Sequence, residues 1–431
     1  MSRPPRRWAA PVAPGPLDAT VRLPGSKSLT ARYLVLAALA DGPSAIRGAL
    51  RARDTELMAA ALNQLGARAA FAPAAAGWDA LVSPGALRGG QHLEAGLAGT
   101  VMRFAAPLAA LAEGRTQFRG DPAAAARPIE PLLEALRQLG AGAGRPGEAA
   151  GGDRAALFWV EGPARRGGPV TLDARASSQF ASALLLAGPR FERGLELSLA
   201  PAQLPSRPHV EMTVEALRAF GAQAQPTGEF AWRVAPGPLA GRDIAVEPDL
   251  TSAAPFLAAA LVAGGTVRVA GWPRRTTQAG RLMLDCVEAF GGRVGWDGAA
   301  LAVTGAGPIR GVDLDLSQAG ELVPAVAALA ALATSPSRLD GIGHLRGHET
   351  DRLAALAREI AALGGRAEAT ADGLKIWPGR LRGAELRTYG DHRMAMFGAV
   401  VGLGLPGVVL DDVGVTSKTF PDFAQAWEAL A

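Results

Sequence analysis

One pattern recurs six times along the 431 residues and leaves few folds open: a small or polar helix start, a long Ala/Leu/Val run, a glycine-containing turn, then a short β-like stretch. The runs begin near Gly25, Gly99, Ser177, Thr251, Gly320 and Gly390, a period of about 70–80 residues. Strand signals follow at Ala45-Ile46, Thr116–Phe118, Leu195–Leu199, Val267–Val269, near Leu339, and at Val408–Leu410. A second set of helices interleaves and ends in Leu/Phe-Gly: at Leu65-Gly66, Leu139-Gly140, Phe220-Gly221, Phe290-Gly291 and Leu363-Gly364. Glycine there suits the left-handed backbone of a helix C-cap. Each unit therefore carries two helices and several short strands. Six such units in two groups of three predict an α/β protein of two similar domains. On composition alone, the Pro/Gly-rich stretch from Ala235 to Gly241 reads as the linker between them.

Composition narrows the function classes. Hydrophobic residues make up 49% and charged residues 19%, a buried globular chain rather than a disordered one. The net charge of +4 is slight, and no basic block is interleaved with aromatics, so no nucleic-acid partner is expected. The single cysteine, Cys286, sits among Met283, Leu284 and Val287 and reads as a core thiol; it permits no internal disulfide. Met1 to Gly15 is Arg- and Pro-rich without an apolar core and reads as a flexible leader. The uncharged stretch from Leu250 to Val267 contains Pro255 and Gly264-Gly265, so it reads as buried helix, turn and strand rather than a membrane span. A soluble cytoplasmic protein with no membrane partner is the expectation.

The helix starts carry the chemistry. Gly25-Ser26-Lys27-Ser28 opens the first helix, with Arg32 five residues beyond Lys27, beside N–H groups that attract anions. Lysine occurs only at 27, 375 and 418, although the chain has 44 basic residues. Lys27 and Lys418 both fall in Gly/Ser/Thr turns, where a compact ammonium serves a site better than a guanidinium. Gly99 leaves bare N–H groups at the second start, and Ser177-Ser178-Gln179 offers two hydroxyls and an amide at the third. The fourth and fifth starts are acidic (Glu247, Asp249, Glu321), and the sixth offers His392 and Arg393. Arg127-Pro128 precedes a helix, and His348-Glu349-Thr350-Asp351-Arg352 gathers an imidazole, two carboxylates and an arginine. Many cations and helix N-termini together suit substrates with several anionic groups. His344 and His348 are four apart, but Gly343 and Gly347 argue against one helix bearing both, and no metal is expected.

Read in order, these motifs resemble the 5-enolpyruvylshikimate-3-phosphate synthase family over about Leu23 to Leu430. They are Leu-Pro-Gly-Ser-Lys-Ser at 23–28, Ala-Gly-Thr-x-Met-Arg at 98–103, Arg127-Pro128, Ser-Ser-Gln-Phe at 177–180 and Glu-Pro-Asp at 247–249. Further along come Leu-Arg-x-x-Glu-Thr-Asp-Arg at 345–352, Tyr-Gly-Asp-His-Arg-Met-Ala-Met at 389–396 and Ser-Lys-Thr-Phe-Pro-Asp at 417–422. The resemblance implies a two-domain inside-out α/β barrel of three repeated units per domain. Its domains would be 26–247 and 1–25 plus 248–431, with the active site in the cleft between them. It also implies that Lys27, Ser28, Arg32, Ser177, Ser178, Gln179, Ser206 and Glu321 contact shikimate 3-phosphate. Lys27, Gly99, Arg127, Gln179, Arg352, Arg393 and Lys418 would hold phosphoenolpyruvate. The chain departs from the common pattern at Leu97, His209, Glu321, His344 and His348. Glu321 keeps the carboxylate usually supplied by Asp, and His348, where Lys is usual, is carried over as a shikimate 3-phosphate contact.

The implied reaction is enolpyruvyl transfer by addition and elimination, with no metal or organic cofactor, by a monomer acting on two small molecules. Glu321 is the expected base for the attacking hydroxyl. Lys27 and Glu349 are the candidates for the C3 proton, and the sequence does not rank them. Gly99 implies sensitivity to glyphosate, because a side chain there crowds the phosphoenolpyruvate site. Two other readings stay open. One is a UDP-N-acetylglucosamine enolpyruvyl transferase, which usually carries a loop cysteine. The other is a non-catalytic phospho-ligand or RNA-binding relative, against which the retained carboxylates argue.

Overall fold

In a computed structural model describing residues 5–75, 77–146, 155–305 and 307–430, the six repeats appear as six sheets and twelve α-helices. The chain divides into two compact units: Gly25–Val246, and a discontinuous one of Met1–Pro24 with Glu247–Ala431. In the first unit the helices are α1 (Lys27–Leu39), α2 (Arg53–Gln64), α3 (Gly99–Leu111), α4 (Glu130–Gln138), α5 (Gln179–Ala187) and α6 (Pro208–Ala219). In the second they are α7 (Leu250–Ala263), α8 (Met283–Ala289), α9 (Val323–Ala331), α10 (Arg352–Ala362), α11 (His392–Gly404) and α12 (Phe423–Glu428).

Five sheets share one order of four strands: a parallel pair extended by an antiparallel hairpin. In the second repeat, His92–Gly96 runs parallel to Gly114–Gly120, which pairs antiparallel with Ala155–Gly162, itself antiparallel to Gly142–Gly144. Two repeats borrow their first strand from elsewhere in the chain. Asp243–Ala245 returns to lie parallel to Ser44–Arg47, and Leu17–Val21 lies parallel to Gly265–Val269. The stretch from Ala235 to Gly241 is therefore no linker. It lies within the Gly25–Val246 unit and delivers its closing strand.

The sixth sheet has three strands, and one of its two outer strands is Trp8–Ala9, antiparallel to the central Val409–Leu410. This corrects the flexible-leader reading for the described part of the N-terminus. Trp8 is buried and its indole N–H donates to Glu428 at 2.6 Å. Ala10 N–H bonds Val408 O and Ala13 N–H bonds Leu403 O, both at 3.0 Å. Small residues make room for this segment: a Cβ on Gly402 of α11 would lie 2.3 Å from the Ala10 Cβ.

In each unit three helices form the core. α1, α3 and α5 pack on one another, as do α7, α9 and α11. All thirteen residues of α3 are buried, and α7 and α11 are buried along nearly their whole length. A helix apolar on every side has to be enclosed, which is why these runs lack the amphipathic stripe of α4 or α10. Each fully buried Leu, such as Leu34 or Leu36 on α1, contributes about 1.5–3 kcal/mol. The second helices end as their sequence suggests. Gly66, Gly140, Gly221, Gly291 and Gly364 all take φ between 85° and 111°, a backbone that side chains resist. The 250–267 stretch is helix α7, a two-glycine turn and the strand from Gly265, and no helix among the described residues is long and apolar enough to cross a membrane.

Candidate functional site

In the Gly25–Val246 unit, Ser26 caps α1 by accepting from Leu29 N–H, and Lys27 is the first helical residue. Its ammonium lies 3.4 Å from the buried Asp54 carboxylate at the start of α2. One turn on, Arg32 is enclosed. It donates to Thr213 Oγ1 (2.8 Å), Ser28 O (2.9 Å), His209 O (2.8 Å) and Ser182 Oγ (3.2 Å). These bonds tie α1 to α5 and α6, so Arg32 joins the three helices as well as bordering Ser28. Phe104, fully buried on α3, faces Arg32 with its ring centroid 5.3 Å from Cζ.

The start of α3 has no side-chain cap, so among the described residues the N–H groups of Gly99, Thr100 and Val101 are bare, as its sequence suggests; the helical bonds begin with Met102 N–H to Ala98 O. A Cβ on Gly99 would lie 2.9 and 3.0 Å from the Arg127 terminal nitrogens and 3.0 Å from Arg103 Nη1. Arg127 donates to Leu97 O at 2.7 Å. Arg103 donates to the Gln179 amide oxygen at 2.8 Å and to Pro128 O at 3.0 Å. Gly99, Arg127 and Gln179 are thus brought together by a residue the motif reading left without a role. The signal was present: Arg103 follows Gly99 by four, which puts both on one helix face. Burial, and then the charge of Arg127, push the Arg103 pKa well below the usual guanidinium range. Ser178 precedes α5 and is buried, while Ser177 Oγ accepts from Gln179 N–H at 3.3 Å. Ser206 is buried at φ 51°, just ahead of Pro208 and α6.

The discontinuous unit holds the acidic groups and their cations. Asp391 caps α11 through Arg393 N–H (2.9 Å) and takes a two-point contact from Arg352 at 2.7 and 3.1 Å. Both side chains of that pair are essentially excluded from solvent. Burial works against the Arg352 charge, but Asp391 more than offsets it and the pKa is raised. Arg352 also donates to His348 Nδ1 at 3.2 Å. Glu349 binds Lys418 Nζ at 2.5 Å through one oxygen and His392 Nδ1 at 3.2 Å through the other. Burial alone would raise its pKa, but His392, Lys418 and Arg352 together hold it well below the usual carboxylate range. Burial pushes the His392 pKa down while Glu349 pulls it the other way; Nδ1 faces Glu349, and Nε2 is buried without a partner.

Arg393 reaches Thr251 Oγ1 at 3.0 Å and Glu321 Oε2 at 3.4 Å. The Thr251 hydroxyl donates to Asp249 at 2.6 Å, and Asp249 also caps α7 through Thr251 and Ser252 N–H. Glu321 stands in the short turn before α9, against which His344 packs: a Cβ on Gly320 would be 2.7 Å from His344 Nε2. His344 and His348 do not share a helix, as Gly343 and Gly347 suggest; their rings meet edge-on at 5.7 Å. Glu349, Asp391 and His392 do bring ligand atoms within 4.8 Å of one another, but Lys418 and Arg352 already neutralise both carboxylates. Cys286 is buried on α8, its thiol pushed up to about 12 by burial and by Asp285.

The family description EPSP synthase (3-phosphoshikimate 1-carboxyvinyltransferase) matches residues 12–427. A protein of that name from Kocuria rhizophila is 51% identical, covering 98% of this chain and 96% of its own. One from Mycobacterium ulcerans is 50% identical, covering 97% and 96%. Among solved structures, an EPSP synthase from Acinetobacter baumannii superposes with TM-score 0.81 at 23% identity over 99% of this chain and 98% of that one. The enolpyruvyl transferase NikO from Streptomyces tendae gives 0.78 at 18% identity over 99% and 98%. The structural matches establish the two-domain α/β fold. The matching motifs, the half-identical relatives and a family match over nearly the whole length together show that this chain belongs to the EPSP synthase family.

Proposed function

We infer that the protein transfers the enolpyruvyl group of phosphoenolpyruvate to the 5-hydroxyl of shikimate 3-phosphate, releasing phosphate in aromatic amino acid biosynthesis. Membership of the family carries the reaction. What supports the residue assignments is one observation: Glu321 and Glu349 are each held beside a cation, Arg393 and Lys418 respectively. Lys27, Ser28, Arg32, Ser177, Ser178, Gln179, Ser206, Glu321 and His348 contact shikimate 3-phosphate in this reading. Lys27, Gly99, Arg127, Gln179, Arg352, Arg393 and Lys418 contact phosphoenolpyruvate. Two multiply charged anions repel each other, and paired cations with helix N-termini offset that repulsion.

Glu321 takes the proton of the attacking hydroxyl as its oxygen bonds to C2, while C3 gains a proton. Glu349, an ionised carboxylate paired with Lys418, has no proton to give at this step. The Lys27 ammonium is therefore the acid. In the elimination, C3 gives a proton back to a base and phosphate departs. There the Glu349 carboxylate fits. Arg127, Arg352, Arg393 and Lys418 stabilise the charge that builds on the carboxylate and the departing phosphate. The buried Cys286 is unlike the loop cysteine of the UDP-N-acetylglucosamine enzymes. The enzyme acts as a monomer in the cytoplasm, without nucleic-acid or membrane partners. Phosphate release from phosphoenolpyruvate that requires shikimate 3-phosphate is the expected result. Release that ignores it, or that requires UDP-N-acetylglucosamine, refutes this reading.

A further inference from the structure

Gln179 is the first residue of α5, and its amide oxygen accepts from Arg103 Nη1 at 2.8 Å. A guanidinium has five N–H groups and no acceptor, so this contact is possible for only one orientation of the amide. The oxygen must face Arg103, and the NH2 must face the other way. That NH2 makes no hydrogen bond among the described residues, although the side chain is only half buried.

Arg103 is itself built for a fixed position. It is 2% exposed, its Cζ lies 5.1 Å from the Phe180 ring centroid, and Nη2 is anchored on Pro128 O. Among the described residues no carboxylate pairs with it, and Nε is buried without a partner. Arg103 Nη1 meets both the Gln179 amide and Gly99 at the start of α3, and Gly99 in turn lies against the Arg127 guanidinium.

We propose that Arg103 is a positioning residue that sets the polarity of Gln179, so that an N–H donor and not a carbonyl oxygen faces the anionic end of phosphoenolpyruvate. The inference rests on reading Gln179 as a contact of that substrate. Without Arg103 the amide rotates freely, and the flipped form presents an oxygen to an anion.

The test is steady-state kinetics with thermal unfolding on the full chain, comparing wild type, Arg103→Met, Arg103→Lys, Gln179→Ala and the Arg103→Met/Gln179→Ala double variant. Arg103→Met should raise KM for phosphoenolpyruvate about tenfold, the scale of a lost hydrogen bond to a charged group, with KM for shikimate 3-phosphate within about twofold. Arg103→Lys, which donates and cannot accept, should recover most of the loss. In the Gln179→Ala background Arg103→Met should cost less than about twofold, because its partner is gone. An equal loss with and without Gln179 would mean that Arg103 acts by charge or packing alone, and would overturn the proposal. If Arg103→Met does not fold, Arg103→Gln takes its place. Gln can accept as well as donate, so Arg103→Gln performing as well as Arg103→Lys overturns the proposal too. Wild type without turnover of phosphoenolpyruvate and shikimate 3-phosphate would instead refute the functional reading, before any variant is made.

Discussion

Arg32, Arg103 and Arg352 are each 2% exposed, and each is answered differently. Arg352 meets the Asp391 carboxylate, Arg32 meets hydroxyls and carbonyls, and Arg103 meets one amide and one carbonyl. Burial of a charge is costly enough that such partners fix a side chain almost rigidly. Glu321 is more exposed, a quarter open to solvent and 3.4 Å from Arg393, and it is the base in the proposed reaction. Glu321→Ala should lower kcat on the order of a hundredfold or more with smaller changes in KM, and near-wild-type turnover would remove it as the base. Gly99→Ala puts a methyl against two guanidiniums. It should raise both KM for phosphoenolpyruvate and the glyphosate needed for half-inhibition about tenfold; an inhibition curve unchanged from wild type would contradict this. The site also couples folding to pH. His392 and His344 titrate below their usual 6.5 when folded, because burial disfavours the charged ring, so the unfolded chain binds more protons as pH falls through that value. Glu349, held below its usual 4.5, adds a second loss further into acid. The unfolding midpoint should therefore fall as pH drops from 7 towards 4, and His392→Asn should flatten the upper part of that slope. A midpoint constant from pH 7 to 5 would refute the assignment.

Helix α10 holds more of the site than its one catalytic-looking arginine suggests. Arg352 at its start grips Asp391, and two turns later the buried Glu359 accepts from Arg387 N–H (3.0 Å) and from the Tyr389 hydroxyl. The segment between those grips is strained. Tyr389 takes φ 56° and Gly390 φ 67°, consecutive left-handed residues of which only the glycine adopts the shape freely. Tyr389→Phe leaves one oxygen of a buried carboxylate short of a donor. About 1–3 kcal/mol of stability should be lost, read as a lower unfolding midpoint in urea, and an unchanged midpoint would show that the strut is unimportant. The Tyr-Gly-Asp-His-Arg run was legible as a helix start. The strut was not, because Glu359 lies thirty residues earlier in an ordinary amphipathic pattern and nothing local marks its partner. The five C-cap glycines were legible because a left-handed residue is a local requirement of the backbone.

Over the whole chain, closure depends on borrowed strands. Asp243–Ala245 completes the sheet begun by Ser44–Arg47, so the Gly25–Val246 unit contains all of its own sheet partners. Expressed alone, residues 25–246 should fold, with a single cooperative unfolding transition in calorimetry. The same piece ending at residue 241 should lose cooperativity, since the edge of Ser44–Arg47 is then unpaired. A disordered 25–246 fragment would show that closure by this strand is insufficient. The discontinuous unit needs both ends of the chain: Leu17–Val21 and Trp8–Ala9 pair with strands about 250 and 400 residues later.

Residue pattern alone determined the α/β class, six repeats, both helix sets with the glycine C-caps of the second, and the family. All of these depend on period, turn chemistry or motif, and each is written within a few tens of residues. Tertiary structure decided the rest. It made the Pro/Gly-rich 235–241 stretch an internal connection, turned the apparent leader at Trp8 into a sheet edge, and gave Arg103 a partner in Gln179. Each of those depends on a hydrogen bond between residues far apart in the chain, and such a partner leaves no mark on the local sequence.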